Sequence, residues 1–295
     1  MLVLNDLIKE FVSDCMVRNL SIRTIKSYKN NLLLFSKWIN IENLNDINSI
    51  KIKEYIQFKK DSGKKATYVN TIIKSLNSFY SYLLEEEYIV KNPMKRVKFL
   101  KEQKTLIMTF NDDEVKRMLS VTKGNSFMAT RNRLILALFI DTGIRNLELC
   151  QLKVKNIHDN YILLNGKGNK DRAVPLSPYT IKALSKYLRY RSERNIVDEE
   201  YLILSCYGHM MTVEGNEHIV KGIGKKANVR SELRCSPHTF RHYFAQKNLM
   251  NGNDIYSISK LLGHANISIT QTYLRSINDE LVLKKSVQYS PLRAI

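Results

Sequence analysis

Cysteine is scarce in this sequence, and its spacing suggests neither a cross-link nor a metal site. Cys15, Cys150, Cys206 and Cys235 are widely scattered and include no CxxC pair. This spacing speaks against a disulfide framework and against a zinc knuckle. We interpret all four cysteines as reduced packing residues.

Long apolar segments are missing as well. The longest apolar run, LILALFI at 134–140, is much too short to span a bilayer. Residues 1–10 contain acidic side chains where a signal peptide would carry basic ones. We therefore expect a cytoplasmic protein with no membrane partner.

Acidic residues are too few to balance the basic ones. The 295 residues include 47 Lys and Arg against 28 Asp and Glu, a formal charge of +19 that is spread over both halves of the chain. The hydrophobic content of 44% is that of a globular protein, and the length suffices for two domains. The charge indicates a polyanionic partner, nucleic acid first and an anionic membrane surface second, with merely solvated lysines as the alternative.

The first 90 residues have the apolar periodicity of short helices. In SIRTIKSYKNNLLLFSKWI, Ser21 can cap the start of a helix that has one apolar face. Arg23, Lys26 and Lys37 fall on the opposite face. We predict that these three cations bind nucleic acid. A second helix covers TYVNTIIKSLNSFYSYLLEEE and ends near Tyr88.

A basic segment then interrupts the helical pattern. Pro93 in KNPMKRVKFLKEQK disfavours helix at Asn92. We interpret residues 91–108 as an interdomain linker, and we add its Lys95 and Arg96 to the predicted nucleic-acid contacts.

The remainder of the chain reads as helices with one hairpin. Asn111 or Asp112 can cap a helix in TFNDDEV, and Gly143 can close the buried helix RNRLILALFIDTG in a left-handed conformation. YILLNGKGNKDRAVPL predicts two strands joined by a glycine-rich turn. We therefore predict a mainly α fold of the α+β class: an N-terminal helical domain and a second helical domain with a small antiparallel β-sheet.

The segment SPHTFRHYFA carries the strongest chemical signal. Ser236 suits a helix N-cap, and His238, Arg241 and His242 then share one helical face, which we expect to point away from the packing face. Two histidines at i, i+4 could grip a metal ion, but the cation between them would repel it. An arginine beside a histidine suits a phosphodiester better. A structural histidine with a surface arginine remains the ordinary alternative.

Five further residues lie in motifs that fit the same chemistry. Arg145 follows a glycine turn in TGIRNLEL, and Glu148 stands three residues later. Lys167 lies at the tip of the predicted hairpin, His264 follows Gly263 at a helix exit, and Tyr273 is placed on a short helix beyond it. Taken singly, each has an ordinary alternative, such as a solvated turn lysine or a packed tyrosine.

In this order, the motifs resemble the catalytic set of the tyrosine recombinase, or phage integrase, family. The correspondence comprises Arg145 in TGIRNLEL, Lys167 in GKGNKDRAVPL, His238 and Arg241 in HTFRH, His264 in LLGH, and Tyr273 in TQTYL. It spans most of residues 110 to 275, and the length is similar to that of the simple Xer-like members. The resemblance implies a core-site DNA-binding domain at 1–90, a catalytic domain at 109–275, and a tail at 276–295 that packs on a neighbouring protomer or is a frayed terminus.

The resemblance also implies a reaction that needs no cofactor or metal. Tyr273 would attack a DNA phosphate, forming a 3′-phosphotyrosyl bond and releasing a 5′-hydroxyl. Arg145 and Arg241 would hold the developing charge, and His238 and His264 would add hydrogen bonds. Lys167 would protonate the leaving oxygen, and His238 would take the phenolic proton.

Two residues have supporting roles in this scheme. Glu148 would orient Arg145, unless the two form a plain i, i+3 surface pair. His242 follows Arg241 as in many relatives.

The implied assembly is a homo-tetramer on two double-stranded DNA recombination sites, with accessory DNA-bending or directionality proteins as further partners. A tyrosine-using topoisomerase and a catalytically silent DNA-binding regulator of the same fold are the alternatives.

Overall fold

The computed structural model describes residues 4–40, 44–102, 107–164, 171–264 and 266–273. The chain forms two compact units, Met1–Thr105 and Leu106–Ile295. Helices dominate both units, and the described strands form one two-stranded antiparallel sheet in the second. The predicted fold class, mainly α with a small antiparallel sheet, is confirmed.

In its described residues, the first unit is built from four α-helices. They are α1 (Leu4–Val17), α2 (Ile22–Ile39), α3 (Ser49–Asp61) and α4 (Ala66–Glu85), with short 3-10 turns at Leu44–Asp46 and Pro93–Arg96. Its core is rich in aromatic rings, among which Phe11, Phe35, Tyr55 and Phe79 are fully buried. Burial of this apolar surface is what holds the four helices together.

Helix α2 follows its sequence pattern closely. Ser21 caps the helix, since its hydroxyl accepts a hydrogen bond from the backbone N–H of Thr24. Arg23, Lys26 and Lys37 are exposed, as expected for the polar face. Helix α4 ends at Glu85, before the predicted end near Tyr88.

Part of the basic segment at 91–108 packs on the first unit. Met94 is buried in the core of that unit. Asn70 of α4 holds Leu100 by two hydrogen bonds, one to its N–H and one to its carbonyl. Lys95 and Arg96 are exposed. The boundaries of the linker stay a prediction.

The second unit combines eight helices of the described chain with the sheet. They are α5 (Asp112–Val121), α6 (Phe127–Thr142), α7 (Asn146–Cys150), α8 (Pro178–Ser192), α9 (Val213–Lys226), α10 (Pro237–Met250), α11 (Ile255–Leu262) and α12 (Ile267–Gln271). Strands β1 (Tyr161–Leu164) and β2 (Arg172–Pro175) pair in a register that sets Tyr161 opposite Pro175 and Leu164 opposite Arg172.

The helix ends that position the site have the predicted caps. Asn111 and Glu114 form a capping box at the start of α5. Ser236 caps α10, with Pro237 in its first position. Gly143 ends α6 in the left-handed region at φ 59°, and a β-carbon there would lie 2.6 Å from the ring of Phe244. Glycine is therefore required at 143 for both conformation and space.

The core of the second unit surrounds α6, whose residues Leu134–Phe139 are all buried. Across the described ranges, no helix combines the length and the apolar character that a membrane span requires.

Candidate active site

Three arginines converge on the C-terminal end of α11. They come from the loop before α7, from β2 and from α10, and they donate to three consecutive carbonyls. The bonds run from Arg172 Nε to Leu261 O (2.8 Å), from Arg241 Nη2 to Leu262 O (2.6 Å) and from Arg145 Nη2 to Gly263 O (2.9 Å).

The end of α11 suits this convergence. The last carbonyls of a helix have no partner within the helix and carry the negative end of its dipole, so cations are stabilised there. Gly263 closes the helix in the left-handed region at φ 63°. A β-carbon at 263 would lie 3.0 Å from Nη1 of Arg172, so the arginine packs directly against the cap.

Arg241 is the most deeply placed of the three arginines. Only 5% of its surface is exposed. It also donates from Nη1 to the carbonyl of Gly143 (2.7 Å), which links the ends of α6 and α11. Burial, followed by the positive charge of Arg145, lowers the pKa of Arg241 to about 10, so the guanidinium stays charged at pH 7.

The expectation that Arg241 faces away from the packing side of its helix is wrong. Helix α10 buries residues on most of its circumference, and Ala245, one helical turn after Arg241, is buried as well. The arginine side chain is accommodated because backbone carbonyls at two helix ends replace water as its partners.

Arg145 and Arg172 share the carboxylate of Glu148. Arg172 grips it with two parallel bonds, Nη1 to Oε1 at 3.0 Å and Nη2 to Oε2 at 2.7 Å. Arg145 donates its Nη1 to Oε1 (2.8 Å) and its backbone N–H to Oε2 (3.0 Å). The carboxylate therefore orients the Arg145 side chain and caps the first turn of α7 at the same time.

Glu148 is a buried anion, not half of a surface pair. Its side chain is 12% exposed, against 41% for Arg145. Burial favours the neutral acid, but the hydrogen bonds and charge of Arg172, and then those of Arg145, outweigh burial and hold the pKa of Glu148 below its usual value. The carboxylate is thus ionised at neutral pH.

His264 follows the glycine cap and lies near all three arginines. Its Nδ1 is 2.8 Å from the hydroxyl of Thr270 in α12. Burial, and then the charges of Arg241, Arg145 and Arg172, lower the pKa of His264 to about 4. The imidazole is therefore neutral at pH 7, and it can donate one N–H when Thr270 donates to the other nitrogen.

Tyr273 lies in the 3-10 turn that continues α12, and its hydroxyl contacts α10. The phenolic oxygen is 3.0 Å from Nδ1 of His242. The tyrosine is buried together with Phe244, Leu249 and other apolar residues. Burial raises the pKa of Tyr273, against the lowering effect of Arg241. The phenol is therefore protonated at pH 7.

The hydroxyl of Tyr273 contacts the imidazole of His242, whereas the family resemblance implies His238 as the proton acceptor, an assignment that stays a prediction. Burial, and then the neighbouring His238 and Arg241, lower the pKa of His242 to about 4, so it is neutral and can accept a proton. His238 is exposed and its ring stacks edgewise on that of His242, with centroids 4.2 Å apart. The part of the His238 ring that is shielded from water, and then the charges of Arg241 and Arg234, lower its pKa as well.

Lys167 and the tail at 276–295 lie outside the described residues. The five predicted nucleic-acid contacts, Arg23, Lys26, Lys37, Lys95 and Arg96, belong to the first unit, and all five are exposed.

Two site residues were missed from the sequence. Arg172 follows the glycine-rich turn, and it precedes the buried Val174 by two residues. Since alternate residues of a strand face the same side, a cation on the buried face of β2 was a readable signal. Thr270 carries no comparable signal in the sequence. Its contact with His264 depends on how the chain folds between α11 and α12.

Known proteins are similar to this chain over both units. The profile of the Phage integrase family matches residues 108–280, and that of the Phage integrase, N-terminal SAM-like domain matches residues 8–87. Tyrosine recombinase XerD of Listeria monocytogenes serotype 4b is 34% identical over 280 residues, which cover 92% of this chain and 94% of the relative. Tyrosine recombinase XerC of Listeria welshimeri serovar 6b is 32% identical over 273 residues, 90% of each chain.

The fold is also found in solved structures. The crystal structure of the XerH site-specific recombinase bound to palindromic difH substrate, a post-cleavage complex, matches with a TM-score of 0.78 at 24% identity. The match covers 92% of this chain and 81% of that one. With family profiles matching both units and relatives at 32–34% identity over nine-tenths of its length, the chain belongs to the phage integrase family of tyrosine recombinases.

Proposed function

We propose that this site-specific DNA recombinase uses Tyr273 as its nucleophile, within the site formed around the end of α11. The observation that carries the proposal is the placement of the phenolic oxygen 3.0 Å from a neutral histidine, in the same site as three anchored arginines. Nucleophile, base and cations are the parts that transfer of a phosphodiester to a hydroxyl requires.

The reaction balances with residues of this chain. The Tyr273 oxygen attacks phosphorus, and its proton passes to Nδ1 of His242. The bond to the 5′ oxygen of the next nucleotide breaks, and we assign the proton that this oxygen takes up to Lys167. A 3′-phosphotyrosyl bond and a free 5′-hydroxyl result, and the reverse sequence of steps rejoins the strand.

The arginines supply the electrostatic part of catalysis. A guanidinium has five N–H donors, so the two side-chain bonds of Arg145 leave donors for a non-bridging phosphate oxygen. We assign the same function to Arg241 and a neutral hydrogen-bond donor to His264 and to His238. Removing one such donor typically costs about a hundred- to a thousandfold in rate.

Strand exchange between two sites requires two duplexes and one subunit for each cleaved strand. We therefore propose a tetramer on two double-stranded DNA sites, held in part by Arg23, Lys26, Lys37, Lys95 and Arg96 of the first unit. A location in the cytoplasm and the use of accessory DNA-bending or directionality proteins belong to the same proposal.

The test is covalent trapping on nicked duplexes taken from DNA that flanks the gene. The nick lies close to the cleavage point, so that a short fragment diffuses away and rejoining is prevented. We expect an adduct that survives denaturing electrophoresis with the unaltered protein and is absent with Tyr273→Phe. Tyr256→Phe is the matched control, because Tyr256 is an exposed tyrosine of the same unit. An adduct that persists in Tyr273→Phe contradicts the proposal.

The same site then separates recombination from simple relaxation. A plasmid that carries two copies should be resolved into two circles, whereas a topoisomerase would only relax its supercoils. A protein that binds the site without forming any adduct would be a silent regulator.

A further inference from the structure

Arg172 connects β2, Glu148 and the end of α11, and we infer that it is a positioning residue that sets the place and the effective charge of Arg145. The inference rests on the proposed function, since it assigns to Arg145 the contact with the phosphate. No contact between Arg172 and DNA is required.

The hydrogen bonds of Arg172 explain how it would act. Its guanidinium forms a fork on both carboxylate oxygens of Glu148, at 3.0 Å and 2.7 Å. A fork of this kind fixes direction as well as distance. The same two oxygens accept from the side chain and the backbone N–H of Arg145. The position at which Arg172 holds the Glu148 carboxylate therefore determines the position of the Arg145 side chain.

A second anchor lies on α11. Arg172 donates to Leu261 O and Arg145 donates to Gly263 O, two residues further along the same helix end. His264 follows directly. Loss of Arg172 would release both the carboxylate and this helix end. Of the two arginines that share Glu148, Arg145 is the more open to a phosphate, since its side chain is 41% exposed against 9% for Arg172.

Charge gives Arg172 a second effect on Arg145. Glu148 is an ionised carboxylate with two arginine partners. When one of these partners is removed, the buried anion keeps Arg145 as its remaining cation. Arg145 then neutralises Glu148 more completely and attracts a phosphate less. Arg172 thus preserves the positive charge that Arg145 presents.

The experiment compares two versions of the nicked DNA that the trapping experiment identifies. In one, the scissile group is a normal phosphodiester, and in the other it is a methylphosphonate, in which a methyl group replaces a charged oxygen. A neutral scissile group makes less demand on cations. The rate of adduct formation is measured at saturating DNA, so that weaker binding does not enter.

For Arg172→Gln we expect adduct formation on the phosphodiester to slow by about a hundredfold, the loss that a small misplacement of a catalytic group produces. On the methylphosphonate, the slowing of Arg172→Gln relative to the unaltered protein should be roughly tenfold smaller, because less charge must be stabilised. Arg172→Lys keeps the positive charge but not the two parallel hydrogen bonds. Its rate of adduct formation should lie between those of the unaltered protein and Arg172→Gln.

Arg131→Gln is the matched control. Arg131 is also a buried arginine of the second unit, and it donates to a backbone carbonyl, that of Leu204, and to the side chain of Asn132. Its loss should lower stability and slow adduct formation on both DNAs by the same factor. Circular dichroism at the assay temperature shows whether each variant is folded. If Arg172→Gln is unfolded, Arg172→Lys replaces it in the comparison of the two DNAs.

A double variant tests whether Arg172 acts through Arg145. Since residues that act as a unit are not additive, Arg145→Gln with Arg172→Gln should be as slow as Arg145→Gln alone. Equal losses on both DNAs for a folded Arg172 variant, or additive losses in the double variant, overturn the inference while the proposed function stands. If the unaltered protein forms no adduct on either DNA, the proposed function itself falls, and this inference with it.

Discussion

The two units use positive charge in opposite ways. Among the described residues of the first unit, the buried polar side chains are neutral, namely Asn31, Asn70 and Ser75, and the predicted DNA-contacting cations are all exposed. In the second unit, Arg131 and Arg241 are buried and hydrogen-bonded to backbone carbonyls. The described cations of the first unit thus stay outside its core, while the second unit builds two arginines into its interior.

The difference matters because exposed and buried cations differ in their screening by salt and in how firmly their position is fixed. An exposed lysine or arginine acts as a mobile charge that salt screens, and one such residue can replace another. A buried arginine needs a partner for its donors, and its planar fork fixes where the charge lies. We therefore expect the first unit to tune affinity for DNA and the second to determine the rate of the chemical step.

Replacement of arginine by lysine tests this contrast most directly. Arg241→Lys removes the paired donation to Gly143 O and Leu262 O and should slow adduct formation by about a hundredfold or more. Arg23→Lys, at an exposed site of α2, should change neither the rate nor the affinity measurably. The measurement is the rate of trapping at saturating DNA.

Thermal unfolding accompanies this comparison, because Arg241→Lys also loses packing. An Arg241→Lys protein that is folded and fully active would show that the guanidinium geometry is not needed. The contrast between the two units would then lose its physical basis.

Acid should weaken the second unit before the first. All six histidines of the chain lie beyond residue 105. The pKa values of His242 and His264 are about 4 in the folded state, against 6.5 for an unperturbed histidine, so the unfolded state binds more protons as the pH falls below 6.5. Stability is therefore complete above pH 6.5 and declines towards pH 4, by about 1 kcal/mol per histidine at pH 5 after a discount for partial exposure.

The single tryptophan makes the two units separable in this measurement. Trp38 lies in the first unit, so its fluorescence during urea unfolding follows that unit, while far-ultraviolet circular dichroism follows both. Between pH 7 and pH 5 the fluorescence midpoint should stay nearly constant while the dichroism midpoint falls. His242→Gln and His264→Gln should each flatten that fall. A pH-independent dichroism midpoint would contradict the prediction.

Local chemistry made most of the fold readable in advance. The caps at Ser21, Asn111 and Ser236 and the glycine at 143 were predicted from the residues alone, because capping depends on side chains only a few positions away. The hairpin was predicted from its glycine-rich turn and the residues on either side.

Less could be read from the sequence about which side chains of the site are buried and which groups they bind. Arg241 was placed on an open face because periodicity on one helix does not show what packs against it. His242 was assigned only a supporting part, because the hydroxyl of Tyr273 reaches it across 31 residues of chain. Carbonyl partners at helix ends, such as Leu262 O, leave no trace in side-chain patterns.

The smallest effects are expected on the exposed face of α2. Replacing Arg23, Lys26 and Lys37 together by Gln should weaken DNA binding at every sequence tested. It should also reduce the slope of log affinity against log salt concentration by about 0.9 for each phosphate that is no longer neutralised. The rate of adduct formation at saturating DNA should not change, because the second unit remains intact.

Lys9 of α1 and Arg18, which directly follows that helix, provide the matched comparison for this slope, since both are exposed but are paired with Asp6 and Asp14. Their replacement by Gln should leave the slope unchanged, because each is already neutralised by a neighbour. An equal change in slope for both sets would mean that the charge of the first unit acts as a whole and that no face of it is dedicated to DNA. A slower trapping rate with the α2 variants would show instead that exposed cations of the first unit also affect the rate of the chemical step. The separation of DNA affinity in the first unit from reaction rate in the second would then be contradicted.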